Sequence, residues 1–301
     1  MSDTPPPSLK PAPRRQLQNI VNRAGTERAP DFYGIGAEKC GTTWLWQMFR
    51  DHPDIGVTLP KELRYFAHQN LHTGFANFSA IQKLLMNHRK VPKGPIFLEK
   101  LATELRIAYG GDPAYLRIFG SVEGKSVGDI SPQYCMLPDE GVEHMQRLSP
   151  GAKIIFLMRD PVDRVISAGK MKAGEQHEVL TDALVREKAF IPFQLDMSRY
   201  SAILDRFERY FPGQVFCAFL EDIIATPLEL LQQLCVFLGV GYDPGHFGRL
   251  DLVANEGAKF AASTGLKRDL FRELRPEYDM LAKRFPERVA GWLARHEAAL
   301  A

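Results

Sequence analysis

The sequence has few cysteines and no long apolar run. Cys40, Cys135, Cys217 and Cys235 are the only four cysteines among 301 residues, and no two of them have CxxC spacing. CxxC spacing is typical of zinc sites and thioredoxin-like motifs, so its absence disfavours both. At this chain length the thiols are expected to be reduced. No segment approaches the roughly 18 apolar residues that span a bilayer. Membrane, disulfide-knot and fibrous classes are therefore disfavoured.

The chain also lacks a strong excess of charge of either sign. It has 38 Lys and Arg residues and 36 Asp and Glu residues, a formal net charge of +2. Overall electrostatics therefore predict neither nucleic-acid nor membrane-surface binding. The start, MSDTPPPSLKPAPRR, has no apolar segment of the kind found in secretory signals. These absences predict a cytoplasmic protein without nucleic-acid or membrane partners, in which any anion site is built locally.

Proline is concentrated at the start of the chain, where large apolar side chains are few. Residues 1–30 are therefore predicted to be a disordered tail, because they bury too little to offset the entropy cost of ordering. No internal repeat and no second linker of that composition follows. The remainder, residues 31–301, is predicted to fold as a single domain.

Beyond the tail, short apolar runs alternate with segments of helical period. The strand-like runs are Phe32–Ala37, Lys153–Met158 and Val215–Leu220. A helix is predicted to open at Asp160-Pro161, and Thr226–Glu229 forms a capping-box pattern ahead of another helix that Gly239 would end. Strand–loop–helix units of this kind predict an α/β fold, with a central parallel sheet flanked by helices.

The first strand leads into a loop that has the chemistry of a phosphate site. The loop, residues 36–41 (GAEKCG), contributes glycines and a lysine, and the next helix begins with two threonines. Such a P-loop-like strand–loop–helix directs backbone N–H groups at one point, and the helix dipole adds positive charge there. The lysine adds a full cation and the threonines add hydroxyl donors. The residues predicted to bind the anion are Lys39, Cys40, Gly41, Thr42, Thr43 and Trp44.

The loop differs in one respect from that of nucleotide triphosphatases. Their motif, Gly-x4-Gly-Lys-Ser/Thr, requires a lysine after the second glycine, but Thr42 occupies that position here and Lys39 lies before Gly41. A P-loop kinase acting on a small molecule is an alternative with the same fold, and it would need Mg²⁺. A tight strand–helix turn with an incidental lysine is the simplest structural alternative.

The order Gly-x-x-Lys-x-Gly-Thr-Thr resembles the 5′-phosphosulfate loop of sulfotransferases that use 3′-phosphoadenylyl sulfate (PAPS). The chain is most similar to the glycosaminoglycan N- and 3-O-sulfotransferases and their bacterial relatives, over roughly residues 32–240. The resemblance implies transfer of a sulfuryl group from PAPS, as co-substrate, to a hydroxyl or amine of a small-molecule or glycan acceptor. It implies release of adenosine 3′,5′-bisphosphate and no metal. A protein that binds the donor without transfer is a further alternative.

A second anion site is predicted where the run Lys153–Met158 ends. Arg159 follows this strand at the edge where open α/β sheets bind ligands, and Ser167 lies about two helical turns further on. An arginine fork and a hydroxyl suit a phosphate. The segment resembles the family's 3′-phosphate segment, which implies that Arg159 and Ser167 hold the donor's 3′-phosphate. Considered alone, Arg159 is equally well explained as a structural ion-pair residue.

The remaining site residues rest on resemblance. The segment Lys61–Phe66 resembles the family's Lys-Glu-x-His-Phe-Phe-Asp, which implies that Glu62 is the catalytic base that deprotonates the acceptor. Lys39 is the second catalytic residue and would stabilise the charge on the leaving oxygen. Arg64 stands where that pattern has histidine. The segment Asn255–Phe260 is the candidate for the family's basic loop that closes over the nucleotide, with Lys259 over the 3′-phosphate.

One segment departs from the family in a way that affects the acceptor. Gly128–Tyr134 resembles the family's Glu-Lys-Ser/Thr-Pro-x-Tyr, with Asp129 in place of glutamate and Ile130 in place of lysine. Without that lysine, a strongly anionic acceptor is less well supported. Asp129 is expected either to face the cleft or to shape a Ser-Pro turn.

Overall fold

The computed structural model describes residues 26–59, 61–70, 103, 110–175, 179–248, 250 and 260–300. At its centre is a five-stranded sheet with the order 2-3-1-4-5, in which every neighbouring pair is parallel. The strands are β1 (Phe32–Gly36), β2 (Ile55–Val57), β3 (Ser126–Ile130), β4 (Lys153–Met158) and β5 (Val215–Phe219). The predicted α/β class with a central parallel sheet is confirmed.

Burial explains why the central strands lack an alternating pattern. Every residue of β1 and β3 is buried, as is every residue of β4 after Lys153. Strands that are covered on both faces can be apolar on both faces. The strand predicted at Lys153–Met158 is observed with those bounds. The other two predicted strands are also observed, but each ends one residue earlier than predicted.

Helices surround the sheet. Those described are α1 (Thr42–Asp51), α2 (Tyr65–Asn70), α3 (Gly111–Phe119), α4 (Asp139–Leu148), α5 (Pro161–Glu175), α6 (Asp182–Ala189), α7 (Pro192–Asp196), α8 (Tyr200–Tyr210), α9 (Leu220–Ala225), α10 (Pro227–Leu238), α11 (Thr264–Ala282) and α12 (Pro286–Leu300). Short 3₁₀ helices span Pro132–Met136 and Pro244–His246. Among the described residues, no helix combines the length and apolar character needed to cross a bilayer.

The predicted C-terminal end of α10 is correct, whereas the predicted capping at its N-terminal end is wrong. Gly239 ends the helix in the left-handed conformation, at φ 75°, as predicted from its lack of a Cβ. The predicted capping box is wrong, because the Thr226 side chain makes no capping hydrogen bond. Thr226 also ends α9, and its backbone, at φ −139° and ψ 56°, departs from the extended conformation typical of an N-cap.

Part of the segment predicted as a tail contacts the sheet region. Nη1 of Arg28 donates to the carbonyl of Gly124 at 3.1 Å, and Nη2 pairs with Asp31 at 2.9 Å. The backbone N–H of Arg28 also donates to the carbonyl of Leu116 at 3.2 Å. The chain is thus fixed against the fold a few residues before β1 begins.

The topology places the ends of β1 and β4 side by side. The two strands are adjacent and parallel, with Gly36 in register with Phe156. The loop after β1 and the residues after β4 therefore emerge at the same edge of the sheet. Since β1 lies between β3 and β4, this is also where the strand order reverses, the usual position of ligand crevices in open α/β sheets.

Candidate functional site

The loop between β1 and α1 takes a tight path that only certain residues permit. Gly41 has φ 95°, and a Cβ at this position would lie 2.5 Å from Cδ1 of Ile223. Lys39 also has a positive φ, 73°, which is uncommon for a residue with a side chain. Because Gly41 is the N-cap residue of α1 and has no capping side chain, the first N–H groups of the helix are available to an anion.

A cavity of about 610 Å³ opens at this edge of the sheet. It brings together most of the residues predicted from the sequence. Those that line it are Lys39, Gly41, Thr42, Thr43, Trp44, Glu62, Arg159 and Ser167. Three separate sequence segments, the loop after β1, the segment that carries Glu62 and the segment after β4, thus face one space.

Lys39 lies partly buried in this cavity. Its Nζ is 3.8 Å from Sδ of Met171, a weak acceptor. Burial, followed by the charges of Arg159 and Lys170, lowers the pKa of Lys39 below its ordinary value despite the opposing effect of Glu38. An oxyanion in the cavity would relieve this repulsion, so Lys39 is well suited to bind one.

Arg159 and Ser167 form the second part of the predicted anion site. Nη1 of Arg159 donates to the backbone carbonyl of Lys39 at 3.3 Å. This contact joins the end of β4 to the loop after β1. Ser167, on α5, lines the same cavity, so a guanidinium and a hydroxyl are presented together.

Asp160 fixes the start of α5 beside Arg159. Its Oδ1 accepts from the backbone N–H of Val162 at 3.0 Å and from the hydroxyl of Tyr278 at 2.7 Å, and Oδ2 contacts Nε2 of His296 at 2.8 Å. Burial alone would raise the pKa of Asp160, but His296, Tyr278 and the backbone N–H of Asp163 hold it below its ordinary value. Helices α11 and α12 thereby help to position Arg159.

Cys40 is not placed with the cavity residues. Its thiol is fully buried, with Sγ 3.7 Å from the hydroxyl of Tyr200, and its backbone N–H donates to the carbonyl of Ala37 at 3.2 Å. Burial raises the pKa of the Cys40 thiol to about 11. Cys40 therefore fills the space beneath the loop, with both of its donor groups directed away from the cavity.

Trp44 lines the cavity. Its side chain is almost fully buried, and Nε1 donates to the carbonyl of Leu250 at 3.3 Å. Leu250 is adjacent in sequence to 251–259, which includes the predicted closing-loop residue Lys259 and lies outside the described residues.

Sequence reasoning missed the position of Lys61. Its Nζ donates to Oγ1 of Thr43 at 3.0 Å, to Oγ1 of Thr42 at 3.4 Å and to Oε1 of Glu62 at 3.1 Å. A second lysine therefore lies between the start of α1 and the predicted base. The adjacent Lys-Glu pair was the only signal in the sequence, and it does not reveal the contact with the threonines.

Glu62 is held between two cations. Its Oε1 pairs with Lys61 at 3.1 Å, and its Oε2 pairs with Arg64 at 2.5 Å. Burial would raise the pKa of Glu62, but the charges of Lys61 and Arg64 outweigh it and hold the pKa below its ordinary value. Glu62 is therefore ionised in the cavity and can accept a proton or a hydrogen bond.

A buried polar cluster supports the loop that carries Glu62. The backbone N–H of Arg64 donates to Oγ of Ser131 at 3.0 Å, and Ser131 donates to Oδ1 of Asp129 at 2.8 Å. Asp129 also accepts from the hydroxyls of Tyr134 and Tyr115, at 2.5 and 3.2 Å. Burial outweighs these hydrogen bonds and raises the pKa of Asp129 to about 6. Asp129 thus supports the loop from behind.

The side chains that could ligate a metal ion do not cluster in the part of the chain that the structure describes. There, no group of three or more His, Cys, Asp or Glu side chains is placed to hold a metal ion. Besides the carboxylates of Glu38 and Glu62, the polar side chains that line the cavity are lysines, an arginine and hydroxyls, which bind oxyanions.

Comparison with known proteins gives a consistent result. The model of the sulfotransferase family matches residues 30–244. Carbohydrate sulfotransferase 15 of Mus musculus is 23% identical over 199 residues, which make up 58% of this chain and 34% of that protein. The chain therefore spans about a third of the length of this curated relative.

Solved structures share the fold. A sulfotransferase from Alicyclobacillus acidocaldarius superposes with a TM-score of 0.60 at 24% identity, covering 88% of this chain and 98% of that one. The sulfotransferase domain of the Synechococcus PCC 7002 olefin synthase superposes with a TM-score of 0.52 at 17% identity, covering 84% and 98%. At these identities the likeness concerns the fold.

Proposed function

This chain belongs to the sulfotransferase family, and we propose that it transfers a sulfuryl group from PAPS to a hydroxyl or amine of a carbohydrate-like or small-molecule acceptor. One observation carries the proposal. The cavity is lined by two sets of groups that are suited to oxyanions, Lys39 with the first turn of α1, and Arg159 with Ser167. A donor with phosphate groups at its 5′ and 3′ positions needs two such sets.

The residues present fit this donor. Lys39, Thr42 and the N-terminus of α1 would bind the 5′-phosphosulfate, because a cation, a hydroxyl and free N–H groups converge there. Arg159 and Ser167 would bind the 3′-phosphate. Apolar side chains on α9, including Ile223, line the same cavity and suit a purine ring.

Catalysis would rest on positioning and charge stabilisation. PAPS, when bound, supplies a sulfuryl group attached to a phosphate that can leave. Lys39 and Thr42 would stabilise the charge that develops on the leaving oxygen. Lys61 would act between donor and acceptor, since it contacts both threonines and Glu62. Glu62 would take the proton of the acceptor through a carboxylate oxygen.

Transfer of label from [³⁵S]PAPS to a panel of sugars, phenols, alcohols and amines tests the proposal. We expect a labelled product and release of adenosine 3′,5′-bisphosphate, with full activity in EDTA, because a sulfuryl group in transit carries less negative charge than a phosphoryl group. Lys39→Met is expected to abolish transfer. Lys125→Met removes a lysine whose side chain is 74% exposed, and it serves as the matched control.

Two results would contradict the proposal. Phosphate transfer from ATP that requires Mg²⁺ would favour the kinase alternative. Binding of adenosine 3′,5′-bisphosphate without transfer or hydrolysis of PAPS would favour a donor-binding protein. We further propose a cytoplasmic location, on the ground that all four cysteines are free thiols, and a single domain over residues 31–301.

A further inference from the structure

The Glu62 carboxylate has a donor side and an acceptor side. Oε1 faces Lys61, which also contacts Thr42 and Thr43 at the start of α1. Oε2 faces Arg64 instead. The donor is proposed to bind at the loop before α1, on the Lys61 side of Glu62. Oε2 therefore lies on the side from which the acceptor would approach.

Arg64 has hydrogen-bonding capacity left over. Its Nη2 donates to Oε2 of Glu62, whereas its Nε is buried and has no hydrogen-bond acceptor among the described residues. A guanidinium carries five N–H donors, and the Arg64 side chain is 41% exposed. A ligand can therefore reach this guanidinium without displacing the loop.

The backbone holds Glu62 and Arg64 in this arrangement. Both residues have positive φ, 68° and 57°, a conformation that is unfavourable for residues with side chains and persists only where the surroundings impose it. The surroundings do so here: Leu63 is fully buried, and Ser131 accepts from the backbone N–H of Arg64 at 3.0 Å. Such strain is typical of functional sites.

The ion pairs of Glu62 with Lys61 and Arg64 make its carboxylate a weaker base. A carboxylate that accepts from two cations holds a proton weakly, so Glu62 gains basicity if either partner is drawn away. Lys61 is tied to the threonines of α1, but Arg64 has no comparable second anchor for its guanidinium among the residues described. Arg64 is the partner that an incoming oxyanion can take.

We infer that Arg64 is a specificity-determining residue that binds an oxyanion on the acceptor, and that this contact releases Oε2 of Glu62 to act as the base. The inference rests on the proposed function. It predicts an acceptor in which the reacting hydroxyl or amine lies a few bonds from a carboxylate, sulfate or phosphate group. The acceptor oxygen would form the bond to sulfur as the sulfur–oxygen bond to the phosphate breaks, and its proton would pass to Oε2.

Arg64 offers a cation that could replace the lysine absent at Ile130. The lysine that the family has at that position is missing, which argued against an anionic acceptor. The Ile130 side chain is buried against Gly34, inside the sheet, so it contributes nothing to the cleft. The guanidinium of Arg64 supplies a cation on the acceptor side from a different segment.

Matched acceptors test the inference. Methyl glucuronide and 4-hydroxyphenylacetate are each compared with their methyl esters, which keep the hydroxyls and remove the charge. A sugar monosulfate extends the comparison to a second kind of oxyanion. An arginine beside a carboxylate lowers the pKa of that carboxylate by about one unit or more. An acid that draws Arg64 away from Glu62 restores this basicity and also gains the contact with Arg64, whereas an ester does neither. We therefore expect kcat/KM for the acids to exceed that for the esters by at least about tenfold.

Variants locate the effect. Arg64→Gln is expected to bring the ratio of acid to ester close to one, and Arg64→Lys to keep part of it, because lysine retains the charge without the planar fork. Arg50→Gln, which removes an arginine with a 49% exposed side chain on α1, should leave the ratio unchanged. Stabilisation by adenosine 3′,5′-bisphosphate should be equal in all four proteins.

The outcomes are separable. Equal use of acids and esters by the wild type, or a ratio unchanged in Arg64→Gln, overturns the inference and leaves the proposed function intact. If none of these compounds accepts label, hydrolysis of PAPS is measured in their presence, and equal effects of acids and esters overturn it as well. Loss of stabilisation by adenosine 3′,5′-bisphosphate in Arg64→Gln would place Arg64 in the donor site instead. Absence of both PAPS turnover and nucleotide binding in the wild type would overturn the proposed function itself.

Discussion

The ammonium of Lys61 donates a hydrogen bond of 3.0 Å to Oγ1 of Thr43, although the rest of α1 and all of β2 lie between the two residues in the chain. The same ammonium lies 3.1 Å from Oε1 of Glu62. One charge therefore connects the start of α1, where the donor is proposed to bind, with the carboxylate proposed to receive the acceptor's proton. This connection places Lys61 where the sulfuryl group would pass.

Lys61→Met is expected to lower kcat by about 10²- to 10³-fold, the usual effect of removing one donor that stabilises transition-state charge. Binding of adenosine 3′,5′-bisphosphate should change little, because Lys39 and Arg159 remain. Steady-state kinetics with saturating PAPS measure the first quantity and titration calorimetry the second. A variant that loses nucleotide binding and turnover in equal measure would show that Lys61 belongs to the donor site alone.

Glu62→Gln keeps the size of the side chain but removes the basic carboxylate, and we expect turnover to fall by at least about 10²-fold. The pH profile of the wild type provides a second measurement. Since Lys61 and Arg64 hold the pKa of Glu62 below its ordinary value of 4.5, the acid limb of kcat/KM should lie below that pH. An acid limb well above it, or turnover within a few-fold of wild type in the variant, would show that another group is the base.

Arg159→Ala is expected to remove the preference for a 3′-phosphate. A hydrogen bond to a charged group contributes about 1.5–3 kcal/mol, so the affinity for adenosine 3′,5′-bisphosphate should fall by about tenfold or more, while that for AMP changes less. Titration calorimetry with both nucleotides gives the ratio. Arg209→Ala, which removes an exposed arginine paired with Asp139, is the control. An equal loss for both nucleotides would mean that Arg159 acts by supporting the Lys39 loop.

Asp129 should make the stability of the fold depend on pH. Its pKa in the folded state is about 6, above the ordinary 3.8, so the folded state binds more protons than the unfolded state between these values. The stability that protonated Asp129 contributes is therefore lost as the pH rises through this window. Asp129→Asn does not titrate, and its free energy of unfolding in urea should fall less between about pH 4 and about pH 6. Parallel curves would contradict the expectation.

The parts of the site that the sequence predicts are those set by short-range geometry. Lys39, Thr42 and Thr43 follow a buried strand, and Arg159 follows another, so the parallel sheet alone brings them to one edge. A residue that directly follows a strand or begins a helix has its position fixed by that element. For such residues a correct strand assignment is enough.

Other features depend on contacts between distant segments, and the sequence does not reveal them. The thiol of Cys40 turns inward because Tyr200, 160 residues away, packs beneath the loop. Glu62 and Arg64 pair with each other, and both have a positive φ although neither is a glycine. The burial of Leu63 and the hydrogen bond to Ser131 support that conformation. A pattern of residue types contains no record of either contact.

Thermal unfolding of the wild-type protein with adenosine 3′,5′-bisphosphate, AMP, or ATP with Mg²⁺ tests the central claim most directly. A ligand that binds the native state raises the midpoint, and at a given concentration the tighter ligand raises it more. If Lys39 and Arg159 bind the two ends of a PAPS-like donor, adenosine 3′,5′-bisphosphate should raise the midpoint more than either of the other two nucleotides. A larger shift with ATP and Mg²⁺, or equal shifts with all three, would contradict the proposed donor site.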